Sequence, residues 1–338
     1  MEIRKLNTLR GLAALMVLFS HYSNNTGFLN GVLGHDGGQF GVMLFFMLSG
    51  FLMSLLYFNQ PFNPQQIRRY AVARFARVVP LFVVVVLLSW LLPKLGVSGI
   101  FYDIKDGWSL LAHFLLLNGN SVLWTIPPEI QFYGLFVLLW WLYAGQRSLF
   151  YLCVAAIIVV LWLLGLPAPE RHLGPLLIKF KILMALHYFL AGVLFGLLYR
   201  YRQVPTQYRK QGFVFVLLLI PLLYPDIFYQ LTGYKHAVWR EPFVYAAMCV
   251  VFYVIVFLVP DDHPWLANRL GDHLGKVSYS LYLLHLPVLF ICLDIIKLSP
   301  NFFLIPYLLL AVLSATLSYR LLEDPMRRLL RQRWTDKT

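Results

Sequence analysis

Residues 38–58 read GQFGVMLFFMLSGFLMSLLYF, an apolar run without a single Asp, Glu, Lys or Arg. About 20 apolar residues in a helix match the hydrocarbon thickness of a bilayer, so this stretch reads as a membrane span. The rest of the chain agrees with it. Of 338 residues, 60% are hydrophobic and 13% charged, where a soluble domain carries about 25% charged residues. Mean hydropathy is +0.69. Such a chain lacks the polar surface of a secreted domain, a disordered protein or an ordinary cytosolic enzyme.

Similar runs fall at 6–24, 78–94, 124–144, 148–167, 176–199, 211–229, 242–260, 277–297 and 302–322. The breaks are rich in Gly, Pro, Asn and charge: NNTGFLNG, NQPFNPQQ, PAPER, YPDIFYQLTGYKH, PDDHP and LSPN. One further apolar piece, GWSLLAHFLLLN at 107–118, is too short to cross and reads as a re-entrant or interfacial helix on the outer side. The expected fold is all-α, a polytopic bundle of about ten transmembrane helices in one membrane domain over residues 1–338.

The basic residues set the orientation. Arg4, Lys5 and Arg10 flank the first span, Arg68, Arg69, Arg74 and Arg77 follow the second, and Arg200, Arg202, Arg209 and Lys210 follow the sixth. Arg327, Arg328, Arg331 and Arg333 follow the last. Ten crossings with both termini cytoplasmic put every cluster on one side, as the positive-inside rule requires. The net charge of +13 is thereby explained by topology and anionic membrane lipid, not nucleic acid. No A-x-A cleavage site follows Leu12–Phe19, so the first span is expected to remain as a signal anchor. Cys153, Cys249 and Cys292 lie in apolar runs and read as buried small residues. No HExxH, P-loop, GxGxxG or EF-hand spacing appears, so neither a metal nor a nucleoside triphosphate is expected.

Ionisable groups at bilayer depth cost several kcal/mol unless they face protein or water, which makes each a functional hypothesis. Here they are His21, Glu129, His187, His285 and Asp294, with Arg10, Arg74 and Arg77 nearer the cytoplasmic edge. Arg10 and His21 are eleven residues apart, close to three turns and about 16 Å along one helix face. A guanidinium at the inner mouth suits a phosphate-bearing ligand, and an imidazole farther out suits general-base work on a hydroxyl. A snorkelling Arg and a His bonded to backbone explain the spacing equally well. Glu129, in SVLWTIPPEIQFYG, follows Pro127 and Pro128, which are expected to disturb the first turn and open a wet cavity. At that depth it is a partner for His21 or the centre of a structural network. Arg74 and Arg77 share a face as i, i+3 neighbours; the patch Arg68–Arg77 suits diphosphate or anionic lipid alike. Ser49 and Gly50 read as helix-packing residues, His285 with Ser278, Tyr279 and Ser280 as structural, and His187 and Asp294 as core polar groups.

Six segments in order resemble the acyltransferase-3 family of integral membrane acyltransferases: IRKLNTLRGLAALMVLFSH with its R-x10-H pattern, FFMLSGFLM, RRYAVARFARVVPLF, WTIPPEIQFY, KVSYSLYLLHLP and the terminal LEDP. The resemblance covers nearly the whole chain. It implies transfer of an acyl group, commonly acetyl from acetyl-CoA, to a hydroxyl of a cell-envelope or exported glycan, in the inner (plasma) membrane. It further implies His21 as the essential histidine and Arg10 as its paired arginine. Glu129 becomes the acidic residue of the W-x4-E-x2-F-Y motif, and Arg68, Arg69, Arg74 and Arg77 the basic segment. The paired prolines depart from the single one usual there. On this reading acyl-CoA stays cytoplasmic with its phosphates on Arg10 and the Arg68–Arg77 patch. A glycan or lipid-linked glycan arrives from outside, and Glu129 orients His21. Trp124, Thr125 or Tyr133 supply donors to the oxyanion, and His113 contacts substrate. Any acyl relay is expected to finish within the membrane domain, and direct transfer is favoured over an acyl-enzyme, with an acyl-histidine the remaining alternative. The competing class is a proton-coupled transporter or flippase of a lipid-linked sugar or small acid, which buried His and Glu also suit; the inverted repeats common in transporters are not evident.

Overall fold

Apolar runs become helices almost throughout. The computed structural model describes residues 3–97, 99–163, 182–201, 204–296 and 300–335, and no strand occurs among the described residues. In chain order the helices are α1 (Arg4–Thr26), α2 (Gly37–Tyr57), α3 (Pro64–Leu91), α4 (Gly107–Phe114), α5 (Ile126–Gly145), α6 (Arg147–Leu163), α7 (Ile182–Tyr201), α8 (Pro225–Thr232), α9 (Pro242–Tyr253), α10 (Arg269–Ile296), α11 (Pro300–Ser318) and α12 (Asp324–Thr335). Local chemistry marks their ends. Asn63 caps α3 by accepting from Gln66 N at 2.9 Å, with Pro64 in the first turn. Asp106 caps α4 by accepting from Ser109 N at 2.6 Å. Gly27 closes α1 at φ +71°, a left-handed conformation that glycine adopts without strain.

Among the described residues, six helices are long and apolar enough to cross a membrane: Gly37–Tyr57, Pro64–Leu95, Ser121–Gly145, Ile182–Arg200, Arg269–Leu293 and Phe303–Trp334. The expected count of about ten is not confirmed, for identifiable reasons. The span expected at 211–229 is a 3-10 helix, Gln211–Leu218, one α-turn, Leu219–Leu222, and then α8 after an 87° bend; counting the bent pair as one span gives seven. The helices Arg147–Leu163 and Pro242–Leu258 are short, and α1, where a span was expected at 6–24, is not among the six. Parts of the spans expected at 148–167 and 176–199 lie outside the described residues. The helix at 107–114 is short, as expected, with eight residues. The basic stretch Arg68–Arg77 is no loop: α3 starts at Pro64 and carries it as helix.

The described residues pack as two units, one built from 3–59, 148–163, 183–201 and 204–276, the other from 60–97, 99–147, 182, 277–296 and 300–335. The boundary falls inside α10.

In the first unit, close helix crossings depend on missing side chains. A Cβ on Gly50 would strike Phe189 O, and one on Gly192 would strike Met47 O, so α2 and α7 cross backbone to backbone. This bears out the packing role expected of Gly50. Gly41 of α2 meets Ala13 of α1 in the same way, and Gly11 of α1 meets Leu274 and Gly275 of α10. The start of α1 is anchored by Lys5, which is 0% exposed. Its ammonium donates to Val256 O (2.7 Å) and Val259 O (2.8 Å), carbonyls at the π-helical turn Val254–Leu258, and pairs with Asp261 at 2.9 Å. Arg209 holds the other carboxylate oxygen at 2.8 Å. Burial pulls the Lys5 ammonium below its ordinary value, against the opposing hydrogen bond to Asp261. Burial pushes the Asp261 carboxyl up, but the hydrogen bonds from Arg209 and Lys5 outweigh it and hold the group below the usual carboxylate range.

In the second unit, tyrosines pin helices by donating to backbone carbonyls inside the core. Tyr70 donates to Tyr133 O (2.9 Å), Tyr279 to Val78 O (2.8 Å), Tyr102 to Leu283 O (2.7 Å) and Tyr282 to Val122 O (3.0 Å). Each joins elements far apart in sequence with a bond that also satisfies a buried phenol.

Candidate functional site

Two polar features stand out, one in each unit. The first is a stripe along α1. Arg10, Ala14, Val17 and His21 follow the i, i+4, i+7, i+11 spacing of one helix face. Ala14 and Val17 are 1% and 2% exposed, and Arg10 and His21 at the two ends are half-buried. The face joining the two expected site residues is therefore packed against protein. Beside it, Ser20 lies where a Cβ on Gly38 of α2 would touch it. The His21 carbonyl accepts from Asn25 Nδ2 at 2.7 Å, which steadies the last turn of the helix. A fixed cation at one end and an imidazole about 16 Å away can hold an anion and receive a proton on the same rod.

The second feature sits where α3, α5 and α10 meet the end of α11. Pro127 and Pro128 occupy the first turn of α5, which has no intrahelical partners for its N–H groups anyway. They start the helix; the expectation that they disturb it is corrected. Glu129 is thereby in the first turn, where the helix dipole favours a carboxylate. Its Oε1 accepts from Tyr133 Oη at 2.7 Å. Arg74 and Arg77 lie within electrostatic range of the Tyr133 hydroxyl, and Arg74 is buried with its guanidinium 6.0 Å from the Tyr70 ring. Arg68 and Arg69 are exposed, and Arg68 stacks on Trp334 of α12. The expected four-arginine patch thus divides into an inner and an outer pair, because one helix turns successive arginines to different faces.

Glu323 completes this second cluster and went unweighed as a site residue. It is buried in the π-helical turn Tyr319–Glu323, accepts a hydrogen bond from Ser280, and interacts electrostatically with Arg77 and Arg327. Tyr279 lies within electrostatic range of Glu129, Tyr133, Arg77 and Glu323. The sequence signal was an acidic residue at the end of the last apolar run, read only as part of LEDP.

The remaining candidates divide in the same manner. Trp124 is half-buried in the 3-10 turn Ser121–Thr125, ahead of α5, and Thr125 Oγ1 donates to Val122 O at 3.2 Å. His113 is fully buried; Nδ1 donates to Ser109 O at 2.7 Å and Nε2 accepts from Asn120 N at 3.4 Å. Both nitrogens brace the segment's own backbone. His285 is buried, with Nδ1 donating to Tyr282 O at 2.8 Å. His187 is buried among the rings of Trp162, Tyr188 and Tyr245. The Asp294 side chain lies outside the described residues. Among the described residues no three His, Cys, Asp or Glu side chains converge to hold a metal, and the three cysteines are unpaired.

The sequence pattern of an acyltransferase domain family matches residues 3–322. Among curated proteins, the chain is 25% identical to the O-acetyltransferase OatA of Staphylococcus aureus, over 96% of this chain and 57% of that one. It is 23% identical to the peptidoglycan O-acetyltransferase OatA of Listeria monocytogenes, over 96% and 56%. It is also 24% identical to the putative peptidoglycan O-acetyltransferase YrhL of Bacillus subtilis, over 95% and 54%. The chain spans a little over half the length of these relatives. No solved structure matches it.

Proposed function

The chain belongs to the acyltransferase-3 family, and from that premise we propose that it transfers an acyl group, acetyl in the first instance, from acyl-CoA to a hydroxyl of peptidoglycan or a related envelope glycan. The observation that carries this reading is the α1 stripe, with Arg10 and His21 on one face and fully buried Ala14 and Val17 between them. The packed face between a cation and a base supports this reading.

The donor fits the cations available. Its phosphates need fixed positive charge, and each unit by itself offers some: Arg10 half-buried on α1 in one, Arg74 buried and Arg77 half-buried on α3 in the other, where ion pairing is stronger than in water. Arg68 and Arg69 stand apart from this assignment on the exposed side of α3. His21 takes the proton from the acceptor hydroxyl as its oxygen attacks the thioester carbonyl. The carbon–oxygen bond forms, the carbon–sulfur bond breaks, and the proton passes from His21 to the departing thiolate. In the other unit Tyr133, held by Glu129, is a hydrogen-bond donor toward substrate, and Trp124 and Thr125 are further donors in the same unit. With both nitrogens on backbone, His113 is assigned the bracing of its own segment.

The test is direct. Purified protein, labelled acetyl-CoA and a soluble peptidoglycan oligomer are incubated together. The proposal predicts alkali-labile label on the glycan; hydrolysis of acetyl-CoA without any labelled glycan, or no reaction at all, contradicts it.

A further inference from the structure

The face of α3 turned away from Arg74 and Arg77 carries Arg68, Ala71, Val72 and Phe75, one helical stripe at i, i+3, i+4 and i+7. Against it lies α12, and between them runs an apolar groove of about 340 Å³ lined by Ala71, Val72, Phe75, Leu330 and Trp334. Two of its walls are open: Phe75 is 54% and Trp334 51% exposed. Its rim is basic. Arg68 stands 5.7 Å from the centre of the Trp334 ring, and α12 as a whole carries Arg327, Arg328, Arg331 and Arg333 against one acidic residue, Asp324. Asp324 is engaged by Arg327 and Arg328.

We propose that this groove binds one anionic phospholipid, with an acyl chain along Ala71, Val72, Phe75 and Leu330 and the phosphate on Arg68 at the Trp334 rim. Three observations select this occupant. The groove lies at the low end of small-ligand pocket sizes, roughly 300–1,000 Å³, which suits one hydrocarbon chain and not a partner helix. α12 ends the last apolar helix with arginines interleaved with Leu and Trp, a composition suited to the membrane–water boundary, and tryptophan favours the headgroup level. A second copy docked here would bring its own arginines against these, and like charges facing each other oppose association. An anionic headgroup instead gains from each basic residue near it.

The inference is independent of the acyl-transfer reading, since its readout is bound lipid and not turnover. The probe is phosphatidylglycerol against phosphatidylcholine, offered to the full-length protein in detergent and counted by native mass spectrometry. Wild type is expected to retain phosphatidylglycerol in preference to phosphatidylcholine. Ala71→Phe fills the groove from an exposed position, so core packing is kept, and should lower retained phosphatidylglycerol at least about fivefold. Arg68→Gln should erase about fivefold of the preference, the effect of one basic residue beside an anionic surface. Helicity and elution volume of both variants should match wild type. Equal retention of the two lipids by wild type, or wild-type retention by Ala71→Phe, overturns the proposal. A wild-type dimer that Ala71→Phe converts to monomer also overturns it and assigns the face to a second copy.

Discussion

The Tyr133 hydroxyl donates to the Glu129 carboxylate across 2.7 Å, one helical turn apart at the start of α5. The bond ties two residues of WTIPPEIQFY to each other within one unit and gives the carboxylate a defined task, holding a phenol. A hydrogen bond to a charged group is worth about 1.5–3 kcal/mol. Tyr133→Phe should therefore lower kcat/KM for acetyl transfer by about 10- to 100-fold, with Glu129→Gln intermediate because it keeps an acceptor. Steady-state kinetics check this; a Tyr133→Phe enzyme with wild-type kcat/KM removes the phenol from the reaction.

Arg74 is buried beside Tyr70, and its proposed role is a grip on donor phosphate. Arg74→Gln should raise the KM for acetyl-CoA about tenfold or more with a smaller change in kcat. Donor titrations at saturating glycan report it. Collapse of kcat with KM unchanged would place Arg74 in the chemical step and not in donor binding.

The α2–α7 crossing has no room for a side chain at Gly192. Overpacking costs about 1–3 kcal/mol even where neighbours can yield, and here the neighbour is backbone. Gly192→Leu should lower the thermal midpoint in detergent or prevent accumulation of folded protein. Gly134→Leu on α5 is the control, since nothing lies within 4 Å of the Cβ position there. Equal midpoints for the two variants would contradict the close crossing.

Asp261 joins Lys5 and Arg209, and its folded-state carboxyl sits below the usual range. A carboxyl depressed in the folded state adds stability that is complete above its unfolded value, near pH 4, and is lost as the pH falls through the lower folded value. Asp261→Asn should flatten the acid limb of the stability–pH curve, measured by unfolding midpoints from pH 3 to 6. An unchanged acid limb would show that the pair contributes nothing to folding.

Much of this arrangement was legible in the sequence. Periodicity alone put Arg10 and His21 on one face, and the absence of charge in 38–58 identified α2. Small residues at Ser49 and Gly50 announced a close helix crossing, without naming its partner. The rest depended on contacts that no local pattern encodes. The number of spans was not legible because hydropathy does not distinguish the straight helix α7 from the 87° bend between Leu222 and Pro225. The paired prolines were misread because their cost depends on whether the helix begins before or after them. Arg68 and Arg74 look alike in a basic run, yet one stacks on Trp334, 266 positions away, and the other is buried beside Tyr70. Glu323 acquired its meaning only when α10 brought Ser280 to it.

One measurement bears on the whole reading: transfer of labelled acetyl from acetyl-CoA to glycan by purified His21→Ala protein whose helicity and thermal midpoint match wild type. General-base catalysis contributes about 10²- to 10⁴-fold, so the account predicts that the initial rate falls by at least about 100-fold. A folded His21→Ala protein that transfers at the wild-type rate would contradict it.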